Sequence, residues 1–279
     1  LVNNAQREHQ EFMVSVEAVA SENGQVLLNL RDGGVGVYPA NDTYTKLWDE
    51  MSGAHAHLCF GLTQQAQVWP SNIESDALGT SFLMHTPAGE HQVVLSVPGM
   101  HNLSNALAAA ACGLAAGAPL KSVAKGLSDF HAVSGRMQPH RLAGGVVMID
   151  DTYNANPDSV RAAIDVLASL TGPRVLVLGD MGEVGDNGPA MHYEVGAYAR
   201  EKGIECLLTL GQATKESARA FGLGSVVCDS TDCVRDELTK LAPKSVLIKG
   251  SRFMRMEKIA HEYLERFSAV SGDLVNHAV

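Results

Sequence analysis

Two rhythms of apolar and polar positions divide the chain. In its first part short apolar runs lie close together: Val26-Leu27-Leu28-Asn29-Leu30, Val35-Gly36-Val37-Tyr38, His57-Leu58-Cys59-Phe60, Ala66-Gln67-Val68-Trp69, Ser81-Phe82-Leu83-Met84 and residues 92–97. Each has strand length, and Thr86-Pro87-Ala88-Gly89-Glu90 between the last two has hairpin-turn composition, so this part reads as sheet-rich with a meander. A helical pattern precedes these runs, from Arg7 through Val16 and Val19 to a stop at Asn23-Gly24. The run Val93-Val94-Leu95-Ser96-Val97 closes at Pro98-Gly99, where a helix opens that is almost free of polar residues from 106 to 116. Such a helix must be buried on most sides. Asn102 or Ser104 suits its N-cap, and Pro119 opens a second helix through Lys125. Periodicity is then lost from 127 to 136.

From Val146 strands and helices alternate. Apolar runs at 146–149, 175–178, 206–210, 226–228 and 245–248 are separated or followed by helical patterns at 157–169, 189–202, 212–220, 231–241 and 254–267. That alternation predicts right-handed crossovers and a mainly parallel sheet whose ligand-facing loops lie at the carboxyl ends of its strands. The expected class is α/β, with a sheet domain first and a Rossmann-like domain after it. No GxGxxG follows the first of these strands, which weighs against a dinucleotide enzyme.

Composition narrows the chemistry. At 279 residues the chain can bury two cores, and 46% hydrophobic with 19% charged residues is an ordinary globular balance. A net charge of −10 and a pI near 5.5 exclude a broad nucleic-acid or anionic-membrane surface, but leave room for a small anionic ligand. The five cysteines are scattered, with no CxxC pair, and read as reduced thiols. No apolar run approaches the roughly 20 residues of a spanning helix, and no basic-then-apolar leader opens the sequence. A cytoplasmic location follows as the expectation. His55 and His57 read as structural, having no third ligand near them in sequence.

The candidate chemistry sits in loops and at helix starts. His101, Asn102 and Asn105 share one helical edge, and two amides with an imidazole suit a planar heteroaromatic ring such as a purine. The same spacing equally allows a capping Asn102 and a surface Asn105. Asp150-Asp151-Thr152-Tyr153-Asn154-Ala155-Asn156-Pro157 leaves the first strand of the second half and enters a helix. Gly179-Asp180-Met181-Gly182-Glu183-Val184-Gly185, with His192 beyond it, follows the second strand, and Lys249-Gly250-Ser251-Arg252 follows the last.

The pattern Pro-Gly-x-His-Asn-x-x-Asn-Ala-x-x-Ala-x-Ala from Pro98 resembles the signature of the Mur ligase family, ATP-dependent amide-forming enzymes of peptidoglycan precursor synthesis. Phe130-His131-Ala132-Val133-Ser134-Gly135-Arg136-Met137 resembles the family's segment between its central and C-terminal domains. The Asp-Asp-x-Tyr-Asn-x-Asn-Pro, Gly179 and Lys249 loops look most like the branch that adds D-alanyl-D-alanine. The resemblance implies that residues 1–132 are the C-terminal part of a central ATP-binding domain and residues 133–279 the C-terminal ligase domain. It implies ATP-binding by His101, Asn102, Asn105, Arg136 and Asp151, and substrate contacts by Asn154, Asn156, Lys249, Ser251 and Arg252. Arg136 and Lys249 are its catalytic candidates, a guanidinium being suited to bridging phosphate oxygens. His9 takes the place of a magnesium ligand; the family's carbamylated lysine falls on Asn23, which cannot be carbamylated.

The implied reaction joins D-alanyl-D-alanine to UDP-N-acetylmuramoyl-tripeptide through an acyl phosphate, using ATP and Mg2+. The implied protein acts as a monomer on small molecules, with no nucleic acid and no membrane, and Arg136 lies at the hinge of a domain closure. Leu1-Val2-Asn3-Asn4 reads as the end of a buried strand, and the family's phosphate-gripping G-x-x-G-K-[ST] does not occur among the 279 residues. The expectation is a piece of a ligase, with little activity alone. A related ligase such as folylpolyglutamate synthetase, a nicotinamide-dependent oxidoreductase and a non-catalytic nucleotide-binding protein are the alternatives.

Overall fold

The computed structural model describes residues 1–7 and 11–273. It divides into two compact units, Leu1–His131 and Ala132–Val279.

In the first unit α1 (Val16–Leu28), β1 (Val35–Pro39), α2 (Thr45–Ser52) and β2 (Ala56–Phe60) alternate, and the two strands pair in parallel, Val35 opposite Ala56 and Pro39 opposite Phe60. The Val2 N–H donates to the Val37 carbonyl at 2.8 Å, so the opening residues run beside β1. An antiparallel meander follows, β3 (Trp69–Ser75), β4 (Thr80–Thr86) and β5 (Gly89–Leu95), in the order β3-β4-β5. Trp69 stacks on His85 across the β3–β4 pair with ring centroids 3.9 Å apart, and His85 Nδ1 reaches Glu90 Oε1 on β5 at 2.9 Å. Each pairing joins strands through side chains on the same face, which fixes register. The unit ends with α3 (Met100–Ala115), whose Leu103, Ala106, Leu107, Ala108, Ala110 and Ala111 are buried, and α4 (Leu120–Ser128).

Three local expectations are corrected here. The helix expected to stop at Asn23-Gly24 continues to Leu28, so the run from Val26 is helical and not a strand. Gly24 serves close packing: a Cβ there would meet Met51 Sδ at 2.6 Å and Trp48 Cδ1 at 3.0 Å, so α1 and α2 touch through it. Leu27 lies one turn on, in a core with Val2, Ala20, Tyr38 and Trp48, and Trp48 Nε1 donates to the Ala20 carbonyl at 2.9 Å. The strand placed at 66–69 starts only at Trp69, where the stack on His85 begins. Pro119 is the N-cap of α4, one position before the expected first turn, and α4 runs on to Ser128.

The second unit holds one six-stranded sheet in the order β10-β9-β8-β11-β7-β6. Its elements are β6 (Gln138–Arg141), β7 (Val147–Asp151), α5 (Pro157–Ala168), β8 (Arg174–Gly179), α6 (Gly188–Glu201), β9 (Cys206–Leu210), α7 (Lys215–Phe221), β10 (Ser225–Cys228), α8 (Thr231–Leu241), β11 (Ser245–Lys249) and α9 (Glu257–Asp273). All pairings are parallel except β6 on β7. The polar edge strand β6 carries no periodic signal, and Pro139 is tolerated because an edge strand has an unpaired side. The last strand in sequence lies at the centre: β11 is buried along its whole length between β7 and β8. Its register sets Lys249 beside Asp151 on one flank and Leu178 on the other. Among the described residues no helix is long and apolar enough to cross a membrane.

His140 on β6 is half buried, and among the described residues its Nε2 has no hydrogen-bond partner. Burial lowers its pKa from the usual 6.5, against an opposing pull from Asp150 and with a further push down from His261. A base with a depressed folded pKa takes up protons more readily when unfolded, so its contribution falls as pH drops through 6.5 toward that lower value. His140→Gln is therefore expected to lose less stability than the unsubstituted chain on going from pH 7.5 to below 6.5; urea midpoints at stepped pH measure this.

Candidate functional site

The two sets of candidate residues lie one in each unit. In the first, Gly99 (φ 99°, ψ 144°) turns the chain into α3, and no side chain caps the helix. This corrects the expected cap: α3 begins at Met100, so Asn102 and Ser104 lie inside it, and Asn102 Nδ2 donates back to the Pro98 carbonyl at 2.8 Å. His101 is half buried beside it. Asn105, one turn on and exposed, accepts from Asn3 Nδ2 at 2.9 Å through its Oδ1. The three residues do share the opening turns of one helix.

In the second unit the carboxyl ends of β7, β8 and β11 bring the remaining candidates together. Lys249 Nζ donates to Asp151 Oδ2 at 2.5 Å and to the Asn154 carbonyl at 2.9 Å, with side chains only 3% and 12% exposed. The other oxygen of Asp151, Oδ1, accepts the Met137 N–H at 3.0 Å. Both carboxylate oxygens are thus engaged, one by a charge and one by backbone. Ser251 Oγ accepts the Gly182 N–H at 2.6 Å and donates to the Ala155 carbonyl at 3.1 Å, while its own N–H donates to the Asp180 carbonyl. One hydroxyl therefore ties the loops after β7, β8 and β11.

Asn156 is the N-cap of α5, accepting the Ser159 N–H at 2.8 Å in a reciprocal capping box, and Asn154 Oδ1 accepts the Ala155 N–H at 2.9 Å. Both amides shape the loop. Arg136 and Arg252 are exposed. The Arg136 guanidinium lies over the Tyr153 ring at 4.0 Å from its centroid, and that of Arg252 at 5.9 Å.

Several contributors carry no role in the motif-level reading. Asp180 accepts the Gln212 N–H at 3.0 Å and the Thr214 N–H at 2.8 Å, joining the loop after β8 to that after β9. Its place in the Gly179 motif is the signal that marks it. His192 is fully buried; Nδ1 donates to the Gly188 carbonyl at 2.7 Å and Nε2 accepts the Met181 N–H at 2.9 Å, so it is a neutral strut. Burial pushes the Cys206 thiol up to about 11 and the Cys228 thiol to about 12, so neither offers a thiolate nucleophile near neutral pH.

His9 lies outside the described residues. Among the described residues no three His, Cys, Asp or Glu side chains converge, and Asn23 donates its side-chain amide to the Asn4 carbonyl at 3.1 Å. The described residues do not assemble a magnesium site.

Removing one partner of a buried ion pair strands the other in a poorly solvated place. Lys249→Met is expected to cost about 3 kcal/mol of unfolding free energy. Joined to Asp151→Leu, it is expected to cost clearly less than the two single changes summed. Urea unfolding of the three variants measures the coupling, and strict additivity would show that the pair does not link β7 to β11.

Residues 1–113 match the Mur ligase middle domain, and residues 135–252 match the Mur ligase, glutamate ligase domain. The chain is 35% identical over 269 residues to UDP-N-acetylmuramoyl-tripeptide--D-alanyl-D-alanine ligase of Escherichia coli (strain K12), covering 95% of this chain and 60% of that protein. It is 33% identical to the protein of the same name from Haemophilus influenzae, covering 95% and 59%. Its fold matches the crystal structure of MurF from Acinetobacter baumannii with a TM-score of 0.86 at 29% identity, over 94% of this chain and 58% of that one. The chain thus spans about 60% of the length of the curated relatives it matches. Both units carry domains of one family in that family's order, and the chain belongs to the Mur ligase family.

Proposed function

We propose that this chain is part of an ATP-dependent ligase that joins D-alanyl-D-alanine to UDP-N-acetylmuramoyl-tripeptide in the cytoplasm. The observation that supports this best is the interlocked carboxyl edge of β7, β8 and β11. It displays two exposed guanidiniums on a frame that is 35% identical, over 95% of the chain, to a ligase of that name.

In the first unit this reading gives His101, Asn102 and Asn105 to the adenine of ATP. In the second it gives Arg136 to the phosphates and Arg252, with the loop 154–156, to the incoming dipeptide. The chemistry is a phosphoryl transfer followed by an acyl transfer. The terminal carboxylate of the tripeptide attacks the γ-phosphorus, forming an acyl phosphate and releasing ADP. The dipeptide amine then attacks the acyl carbon; phosphate leaves with the C–O electron pair, and the amine gives up a proton.

For the protein, such steps need positioning and charge neutralisation more than covalent participation. An Arg136 guanidinium offers two-point contact to phosphate oxygens at every relevant pH. Lys249 and Asp151 act in this reading by holding the 135–137 segment and the 154–156 loop in place. Ser251 holds Gly182 and Ala155 in the same way.

The test uses the protein purified from its own cells, supplied with ATP, UDP-N-acetylmuramoyl-tripeptide and D-alanyl-D-alanine. The expected product has the summed mass of the two peptide components less one water, with one ADP and one phosphate per product. ADP release that ignores the dipeptide, or a product formed only from a folate and glutamate, would overturn the assignment. Arg136→Ala is expected to raise the KM for ATP at least tenfold, by loss of a charge-assisted contact of about 1.5 kcal/mol or more.

A further inference from the structure

Tyr153 has no part in the chemistry above, although both exposed guanidiniums of the site lie over its ring. Its side chain is 45% exposed, in a loop whose neighbours Thr152 and Ala155 are buried. The Arg136 guanidinium carbon stands 4.0 Å from the ring centroid and that of Arg252 stands 5.9 Å from it, each within the range of cation–π attraction. The two cations come from segments far apart in sequence, one before β6 and one after β11.

The backbone brings the ring and the first cation together. The Tyr153 N–H donates to the Gly135 carbonyl at 2.9 Å, and the Met137 N–H donates to Asp151, so residues 135–137 run alongside 151–153. Gly135 has φ +74°, and a Cβ there would meet Thr152 Oγ1 and the Tyr153 nitrogen at 3.2 Å. A side chain there would be strained by the positive φ and would crowd the 152–153 backbone. On the other side Ser251, buried and bonded to Gly182 and Ala155, fixes where Arg252 leaves the sheet. Arg252 Nη1 also stands 3.6 Å from Glu257 Oε1, with the arginine side chain 67% and the glutamate side chain 29% exposed, a pairing that steadies the guanidinium and offsets part of its charge.

Sharing one ring holds the two guanidiniums within roughly 10 Å of each other, about a Debye length, where like charges still repel. An aromatic face offsets part of that repulsion, and an anion between the charges offsets more. We propose that Tyr153 is a positioning residue that holds Arg136 and Arg252 as one anion-binding pair, so that the contact to nucleotide phosphates and the contact to the dipeptide carboxylate depend on a single ring. The proposal rests on the ligase reading for the identity of those anions, but the pair and its ring can be tested without it.

The probe is inorganic tripolyphosphate, titrated into the isotopically labelled chain and into Tyr153→Phe and Tyr153→Leu. Arginine side-chain resonances are followed by NMR. In the unsubstituted chain Arg136 and Arg252 are expected to show upfield ring-current shifts and to respond together to the anion. Tyr153→Leu is expected to abolish those shifts and weaken binding roughly fivefold, while Tyr153→Phe restores both, because the ring face and not the hydroxyl is the attracting group. In the product-forming assay, Tyr153→Leu should raise the KM for ATP and the KM for D-alanyl-D-alanine together, with kcat within twofold.

Tripolyphosphate binding by Tyr153→Leu as tight as that of the unsubstituted chain would overturn the proposal, and so would no binding by the unsubstituted chain. Phe as weak as Leu would also overturn it, by showing a hydroxyl contact in place of a platform. In each case the ligase reading is judged separately, by product formation in the unsubstituted protein.

Discussion

The second unit depends on a charge pair placed where a sheet would ordinarily exclude charge. Lys249 ends a strand buried on both flanks, and Asp151 ends its neighbour; their contact is nearly shielded from water. Two ions in such a place are costly unless further hydrogen bonds support them, and here each has one: a backbone N–H binds the second carboxylate oxygen and a backbone carbonyl takes a second ammonium proton. The pair contributes little as a simple attraction. Its value is geometric, because it binds the end of β11 to the end of β7 and, through Met137, to the segment that carries Arg136.

The loops around that pair are fastened by the same principle. Ser251 and His192 take backbone N–H groups of the loop after β8, and the half-buried Asp180 takes two from the loop after β9. Buried polar groups that are fully satisfied by backbone partners make a stiff frame, since losing either partner leaves a desolvated group behind. The frame leaves its long side chains outside: Arg136, Tyr153 and Arg252 are exposed above it. A rigid base with adaptable cations suits transfer of phosphoryl and acyl groups, where placement supplies most of the catalysis.

In the first unit the organising contact is apolar. Gly24 lets α1 approach α2, Trp48 fills the space between them, and its indole N–H finds the Ala20 carbonyl. The meander is held by a different device, the Trp69–His85 stack with Glu90 behind the imidazole. These contacts hold the unit together, and the opening turns of α3 carry His101, Asn102 and Asn105.

Local pattern in the sequence was enough for most elements of the second half. The apolar runs that became β7, β8, β9, β10 and β11 are short, flanked by polar turns, and followed by amphipathic stretches, and each such signal is carried within a dozen residues. The motifs around His101, Arg136, Asp151 and Lys249 were legible for a related reason, since clustered amides, carboxylates and cations beside glycine stand out wherever they fall. Reading Val26 to Leu30 as a strand failed because Gly24 looks like a helix stop until Met51 is seen against it. The edge strand β6 left no mark, because one-sided pairing asks nothing of its residues.

What tertiary structure alone decided is which distant residues meet. Nothing near position 249 says that it will lie beside 151, and nothing near 136 names Tyr153 as its platform. Those contacts follow from the insertion of the last strand between β7 and β8, a choice of sheet order and register made by the whole unit. The sequence by itself determined the elements, their order and the family, because those are written in short-range periodicity and motif. The strand order, and with it the meeting of Asp151 and Lys249 at the ends of neighbouring strands, was settled by long-range packing.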